Sequence, residues 1–307
     1  MRRPLHPDSA PPDERSSRPN VALDFRPASV AGRVRFLLAG RPLFWWTLRG
    51  VARLPPDLTP RLRERVQGEL GGRLLRHLRV RLDRAGFEHV GAGPYLVVAL
   101  HEGMLDVLAL LQLPLPLRFV ARREIFSWPG VGAAITRLGH ISIDPESGAA
   151  GYRAMMRAGR DVVAGGESLV VFPQGSVLGL ETQFQRGAFV LARQLDLPIL
   201  PVVLTGAHRV WEHPFTPTLR YGQRVGLRVL PPVRREEVRQ TPPEVLRVRL
   251  RRAMKRAALD PAMPPARRYD PARDGFWDGY RFDIDPDFSE LCRRVLAHRR
   301  QALGETA

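Results

Sequence analysis

Four short apolar runs constrain this chain more than anything else in it: YLVVAL at 95–100, LRFVA at 117–121, SLVVF at 168–172 and ILPVVL at 199–204. A strand with one wet face alternates apolar and polar residues. These runs do not alternate, so they read as strands covered on both faces. Shorter runs at 79–83, 140–143 and 226–231 extend the set. Helical patterns at 102–112, 128–138, 148–164 and 184–195 fall between them, which implies an α/β sheet carrying helical layers.

The flanks differ from this middle part. Residues 1–30 are rich in Pro, Ser, Arg and Asp and are expected to form a disordered tail. Residues 31–77 are expected to be an amphipathic helical segment. Its first part interleaves Phe36, Leu37, Leu43, Phe44, Trp45 and Trp46 with Arg33, Arg35, Arg41, Arg49 and Arg53. That mixture suits a helix lying in a membrane interface, with arginines at the phosphates and tryptophans at headgroup level. The alternative is a helix packed on the domain with its arginines solvated. Pro42 should kink it, and a second helix is expected over 58–77. The central domain is bounded at 78–259 and ends in a basic helix at 242–259. An extension follows at 260–307, Pro-rich at first, then acidic and aromatic, then basic.

Composition narrows the partners. Lys plus Arg number 48 against 31 Asp plus Glu, a formal charge of +17 over 307 residues, which favours an anionic partner such as a bilayer, nucleic acid or a phosphorylated substrate. Lys255 is the only lysine and Asn20 the only asparagine, the mark of GC-rich coding. That bias explains arginine in place of lysine but not the surplus of charge. Cys292 is the single cysteine, so no intramolecular disulfide can form and a reducing, intracellular setting is expected. Residues 1–30 lack the apolar core of a secretory signal. The apolar stretches 34–54 and 94–121 are broken by Arg, Pro, His, Glu and Asp, so neither fits a membrane span.

Two segments carry candidate chemistry. In LHEGMLD (100–106), His101 stands at the carboxyl end of a predicted strand, where α/β sheets place their ligands. On one continuous helix His101 and Asp106 would diverge by roughly 140°. With His101 in a turn and the helix starting after it, Asp106 can fold back beneath the imidazole. A carboxylate on one ring nitrogen fixes the tautomer and frees the other nitrogen to take a proton. The second segment, VVFPQGSVLG (170–179), runs from a strand into a Gly-containing turn whose N–H groups could face a substrate oxygen. A plain structural turn is the alternative there. Leu105 excludes a zincin motif, Gln174 and Leu178 exclude a nucleophile elbow at Ser176, and a single lysine at 255 excludes a P-loop. The DIDPDF stretch at 283–288 lacks the Gly and Glu of an EF-hand loop.

In order along the chain, these pieces resemble the phospholipid/glycerol acyltransferase family, which includes the lysophosphatidic acid acyltransferases. His101 and Asp106 match its HxxxxD element. Arg122-Arg123-Glu124-Ile125 and Gly139-His140-Ile141-Ser142-Ile143-Asp144 match the second block. Phe172-Pro173-Gln174-Gly175-Ser176 and Phe184-Gln185-Arg186-Gly187-Ala188-Phe189 match the third, and Pro198-Ile199-Leu200-Pro201-Val202 the fourth. The resemblance covers about 78–232. It implies a mixed α/β sheet flanked by helices and preceded by an N-terminal helical hairpin. It also implies catalysis by His101 and Asp106, with substrate bound by Arg122, Arg123, Glu124, Gln174, Gly175, Ser176 and Arg186. Gln174 stands where the family usually has glutamate, Val177 and Pro145 where it often has arginine. Valine cannot replace a bidentate phosphate contact, so either Arg122, Arg123 or Arg186 takes over or the acceptor is not a simple glycerol phosphate, and a lysophospholipid or other hydroxylated lipid is then as good an acceptor as lysophosphatidic acid.

The implied mechanism is direct acyl transfer from acyl-CoA or an acyl-carrier protein, with no metal and no cofactor. His101 acts as base, and backbone N–H groups around Gly175 hold the oxyanion. The expected setting is the cytoplasmic face of a membrane, with the protein peripheral or monotopic, and no nucleic acid as partner. Two rival readings are a basic nucleic-acid-binding protein, resting on the arginine run 247–256, and a lipid-binding pseudo-enzyme.

Overall fold

The computed structural model describes residues 26–27, 29–144, 147–213, 216–270 and 283–303. Nearly all of the expected tail at 1–30, Pro145 and part of the 260–307 extension lie outside them.

The elements, in chain order, begin with a short strand β1 (Arg26–Pro27). Helix α1 (Val30–Arg35) is capped by the Ser29 hydroxyl and runs through a π-helical segment, Phe36–Gly40, into α2 (Arg41–Ala52). Pro42 supplies the cause of that irregular turn, because it has no N–H to return to the preceding turn and helices absorb this by local π geometry. Helix α3 (Pro60–His77) folds back, with Thr59 as its N-cap. Then come β2 (Arg81–Ala85), β3 (Leu96–Ala99), α4 (Leu105–Leu110), β4 (Leu117–Arg122), α5 (Arg123–Phe126) and α6 (Val131–Arg137). They are followed by β5 (Ile141–Ile143), α7 (Gly148–Ala164), β6 (Ser168–Val171), α8 (Gly187–Gln194) and β7 (Ile199–Thr205). The chain continues through β8 (Trp211–His213), β9 (Thr216–Leu219), β10 (Arg224–Val229), α9 (Arg235–Gln240), α10 (Pro243–Ala258) and α11 (Ser289–Leu303).

Seven strands form one mixed sheet in the order β2-β10-β7-β3-β6-β4-β5. Strands β7, β3, β6, β4 and β5 are mutually parallel. β10 pairs antiparallel with β7 and parallel with β2. The seven strands expected from the sequence are those of this sheet. Both faces are covered: Val97 and Ala99 of β3 enter one apolar cluster, Leu96 and Val98 the other. All four are fully buried, and burial of such side chains is worth about 1.5–3 kcal/mol for each Val or Leu. A second, three-stranded sheet of β1, β9 and β8 goes beyond the strands expected.

The hairpin of α2 and α3 packs through Phe44, Leu48, Val51 and Leu62 against Ala134 and Leu138 of the α6 region. Arg63, on the inner side of α3, is buried. It donates to the carbonyls of Leu138 (2.6 Å) and Leu58 (3.0 Å) and pairs with buried Glu167 at 2.6 Å. Gln67 donates to the Leu117 carbonyl and accepts its N–H, fixing α3 to the start of β4. The opposite flank of α1 and α2 stays bare: Val30, Val34, Leu37, Leu38 and Trp46 are all more than half exposed.

Candidate active site

The parallel strands of the sheet direct their carboxyl ends to one edge, and the functional segments follow them there. After β3 the chain does not enter a helix at once. Residues 101–104 make a turn, and α4 begins only at Leu105, three residues later than the expected 102–112 helix. The turn allows Asp106 to reach back. His101 Nδ1 lies 2.8 Å from Asp106 Oδ2, and the same oxygen accepts the N–H groups of Glu102 (2.6 Å) and Gly103 (2.9 Å). Three donors on one fully buried oxygen hold that carboxylate rigidly. With Nδ1 donating to Asp106, neutral His101 presents Nε2 as a proton acceptor. The imidazole stacks on Phe172, at the end of β6, with ring centroids 3.9 Å apart and planes 16° from parallel.

Gln174 links the two candidate segments. Its Oε1 accepts the His101 N–H at 2.7 Å and its Nε2 donates to the Gly179 carbonyl at 2.8 Å. The partners fix the amide's orientation, since one can only donate and the other only accept. Gln174 is 2% exposed, and in this structure its side chain is engaged with backbone groups of the site. The Gly175 N–H donates to the Phe172 carbonyl at 3.1 Å. That bond closes the turn in which the oxyanion-holding N–H groups are expected. Gly175 itself holds a left-handed φ of 66°, which explains a glycine there. Ser176 is buried, and its Oγ has no hydrogen-bond partner among the described residues.

The remaining expected residues are spread along the same edge. Arg122 ends β4 and pairs with Glu124 at 3.4 Å; Arg123 reaches Asp144, beyond β5, at 3.4 Å and remains largely exposed. Arg186 precedes α8 and its charge acts on Glu244 of α10. His101, Asp106 and Gln174 thus meet directly, while the three arginines face carboxylates further along the edge.

Two residues at the site carry no mark in the sequence. Glu102, whose only sequence context is the excluded metal motif, is buried, and burial pushes its carboxyl above the usual range against the pull of His208. Its Oε2 lies 3.0 Å from His208 Nδ1 and its Oε1 accepts the Arg267 N–H at 2.8 Å. No spacing announces this, because only the pairing of β3 with β7 brings residues 102 and 208 together. Gly206 takes a left-handed φ of 81° to turn the chain there, where a Cβ would strike the Arg224 carbonyl.

The extension also covers this edge. Arg267 and Tyr269 engage Leu180 and Glu181 through their backbones, and Ile284 bridges Thr182 in antiparallel fashion. Lys255 seals the far end. Burial pushes the pKa of its ammonium down to about 8, and the group donates to the Thr182 carbonyl (2.8 Å) and Asp285 (2.6 Å). No group of three His, Cys, Asp or Glu side chains suited to a metal ion occurs among the described residues.

Comparison with known proteins bears on this geometry. Residues 81–205 match the family described as Acyltransferase. The 1-acyl-sn-glycerol-3-phosphate acyltransferase of Limnanthes alba is 31% identical over 170 residues, 54% of this chain and 60% of that protein. The 1-acyl-sn-glycerol-3-phosphate acyltransferase alpha of Bos taurus is 32% identical over 184 residues, 57% of this chain and 62% of that protein. The matched part thus spans about three-fifths of these curated relatives. Among solved structures, the 1-acyl-sn-glycerophosphate (LPA) acyltransferase PlsC from Thermotoga maritima superposes with a TM-score of 0.58 at 21% identity, covering 73% of this chain and 92% of that one. That likeness establishes a shared fold.

Proposed function

We propose, from the match of residues 81–205 to the acyltransferase family, that this protein transfers a fatty acyl group to the hydroxyl of a lysophospholipid or related lipid at a membrane surface. The observation that carries the reading is the His101–Asp106 contact at the carboxyl end of β3. His101 Nε2 takes the proton of the acceptor hydroxyl as its oxygen attacks the donor thioester. The tetrahedral intermediate then expels the thiolate of coenzyme A or an acyl-carrier protein. Asp106 keeps the imidazole in the required tautomer and balances the imidazolium that forms. Lysophosphatidic acid is one acceptor in range. Val177, in place of an arginine, widens the range to lysolipids recognised by other means.

Membrane contact is assigned to the bare flank of α1 and α2, where Leu37, Leu38 and Trp46 stand among Arg33, Arg41 and Arg49. No described helix is long and apolar enough to cross a membrane. The arginine run that suggested nucleic acid is largely neutralised: Arg247 pairs with Glu244, Arg249 with Glu237, and Arg251 and Arg252 with Asp287. Lipid product profiling of the purified protein, supplied with acyl-CoA and a panel of lysolipids, tests the reaction and names the acceptor. Flotation with anionic and neutral liposomes tests the surface. Absence of any acylated product, with either acyl-CoA or acyl-carrier protein as donor, would overturn the reading.

A further inference from the structure

Glu102 sits next to the catalytic imidazole, yet nothing in the proton-transfer chemistry uses its side chain. It is 4% exposed, and both of its oxygens are held, one by His208 Nδ1 at 3.0 Å and one by the Arg267 N–H at 2.8 Å. The three residues come from three parts of the chain: the turn after β3, the 3-10 turn Ala207–Arg209 that follows β7, and the extension beyond α10. Arg267 is itself anchored, because its carbonyl accepts the Leu180 N–H at 2.9 Å. A buried carboxylate tied at both oxygens cannot swing.

The consequence falls on the backbone of the same residue. The Glu102 N–H is one of the two amides that hold Asp106 Oδ2, at 2.6 Å. Pinning the side chain fixes the direction of that N–H, the amide fixes Asp106, and Asp106 fixes His101. We propose that Glu102 and His208 form a positioning pair that sets the geometry of the His101–Asp106 pair, with the extension's Arg267 amide as its third anchor. The extension is then part of the active site and not an appendage to it. This inference rests on the acyl-transfer reading and deepens it.

The geometry dictates which substitutions matter. Glu102→Ala removes both anchors. Glu102→Gln keeps them: the amide oxygen accepts from Arg267, and the amide nitrogen donates to neutral His208 with its proton on Nε2. His208→Ala removes one anchor and leaves the carboxylate. A misplacement of about 1 Å at reacting groups is enough to lower a rate by about 10²-fold. Positioning therefore predicts a loss in kcat with KM nearly unchanged, since the buried Glu102 side chain is closed to substrate.

The experiment measures kcat and KM for the full-length wild type and the three variants, using the lysolipid that the wild type acylates best. Circular dichroism and melting temperature are recorded alongside. The expected result is a kcat about 10²-fold lower for Glu102→Ala, a smaller loss for His208→Ala, and kcat restored to near wild type in Glu102→Gln. The double variant Glu102→Ala, His208→Ala should fall no further than Glu102→Ala alone. A folded Glu102→Ala with wild-type kcat overturns the proposal, as does a loss in Glu102→Ala that Glu102→Gln fails to rescue. If Glu102→Ala does not fold, His208→Ala decides: reduced kcat supports the pair, and wild-type kcat overturns it. A wild type inactive on every lysolipid would instead remove the acyl-transfer reading beneath it.

Discussion

Two imidazole–carboxylate pairs stand one residue apart at the edge of this sheet, and they are built in opposite ways. His101 and Asp106 are local, five residues apart, and one carboxylate oxygen gathers the imidazole and two backbone amides. His208 and Glu102 are distant in sequence by 106 residues, and each carboxylate oxygen serves a single donor. The first arrangement orients one ring tightly within a turn. The second spreads its bonds over three chain segments and holds the turn itself in place. A reactive pair can thus be written into a short motif, whereas the pair that supports it depends on the tertiary fold.

The largest effect that would sharpen this contrast is expected from Asp106→Ala. It removes the acceptor of three donors, and transfer should fall by roughly 10²–10⁴-fold with KM little changed, as steady-state kinetics would show. A loss below tenfold would mean that His101 needs no orienting carboxylate. Asp285→Ala should act the other way, on stability before chemistry. It leaves the buried Lys255 ammonium and Arg251 guanidinium short of a partner, and breaking such a buried pair costs about 3–5 kcal/mol in denaturant unfolding.

Gln174→Glu addresses the segment between the two pairs. A glutamate can still accept the His101 N–H, but an ionised one sets a negative oxygen against the Gly179 carbonyl. Leaving that buried carbonyl unpaired is expected to cost about 1–3 kcal/mol, read in chemical denaturation, and to lower activity through displaced His101. Wild-type stability in that variant would show that the Gly179 bond is dispensable.

The remaining effect lies away from the site and shows only in acid. Burial, with the guanidiniums of Arg118 and Arg63, pushes His140 down to about 3 from its ordinary 6.5. The folded state then binds fewer protons than the unfolded state between those values. Stability should fall as pH drops from 6.5 toward 3, by at most about 1.4 kcal/mol per pH unit. His140→Asn should flatten that slope in acid unfolding curves.

Much of the fold is legible in the sequence because its sheet is covered on both faces. Unbroken apolar runs such as YLVVAL identify buried strands without help from alternation, and all seven expected strands join one sheet. The three-stranded sheet is not legible, since β1 has two residues and β8 three, too few for any period to register. The His101–Asp106 contact is legible because it lies within one turn. Gln174 falls in a segment the sequence does mark, but its role is hidden there. Its two bonds, to the His101 N–H 73 residues away and to the Gly179 carbonyl, follow from the tertiary fold and the turn and leave no mark in the residue pattern. Glu102 is invisible as a positioning residue for the same reason, its partners being 106 and 165 residues away.

The central claim is that His101 acts as the base. Its most direct test is acyl transfer to the preferred lysolipid by wild type and by His101→Ala, measured by product mass spectrometry, with circular dichroism confirming both folds. The geometry predicts product from the wild type and a rate lower by roughly 10²–10⁴-fold in the variant. A folded His101→Ala protein that acylates the lipid at the wild-type rate would contradict it.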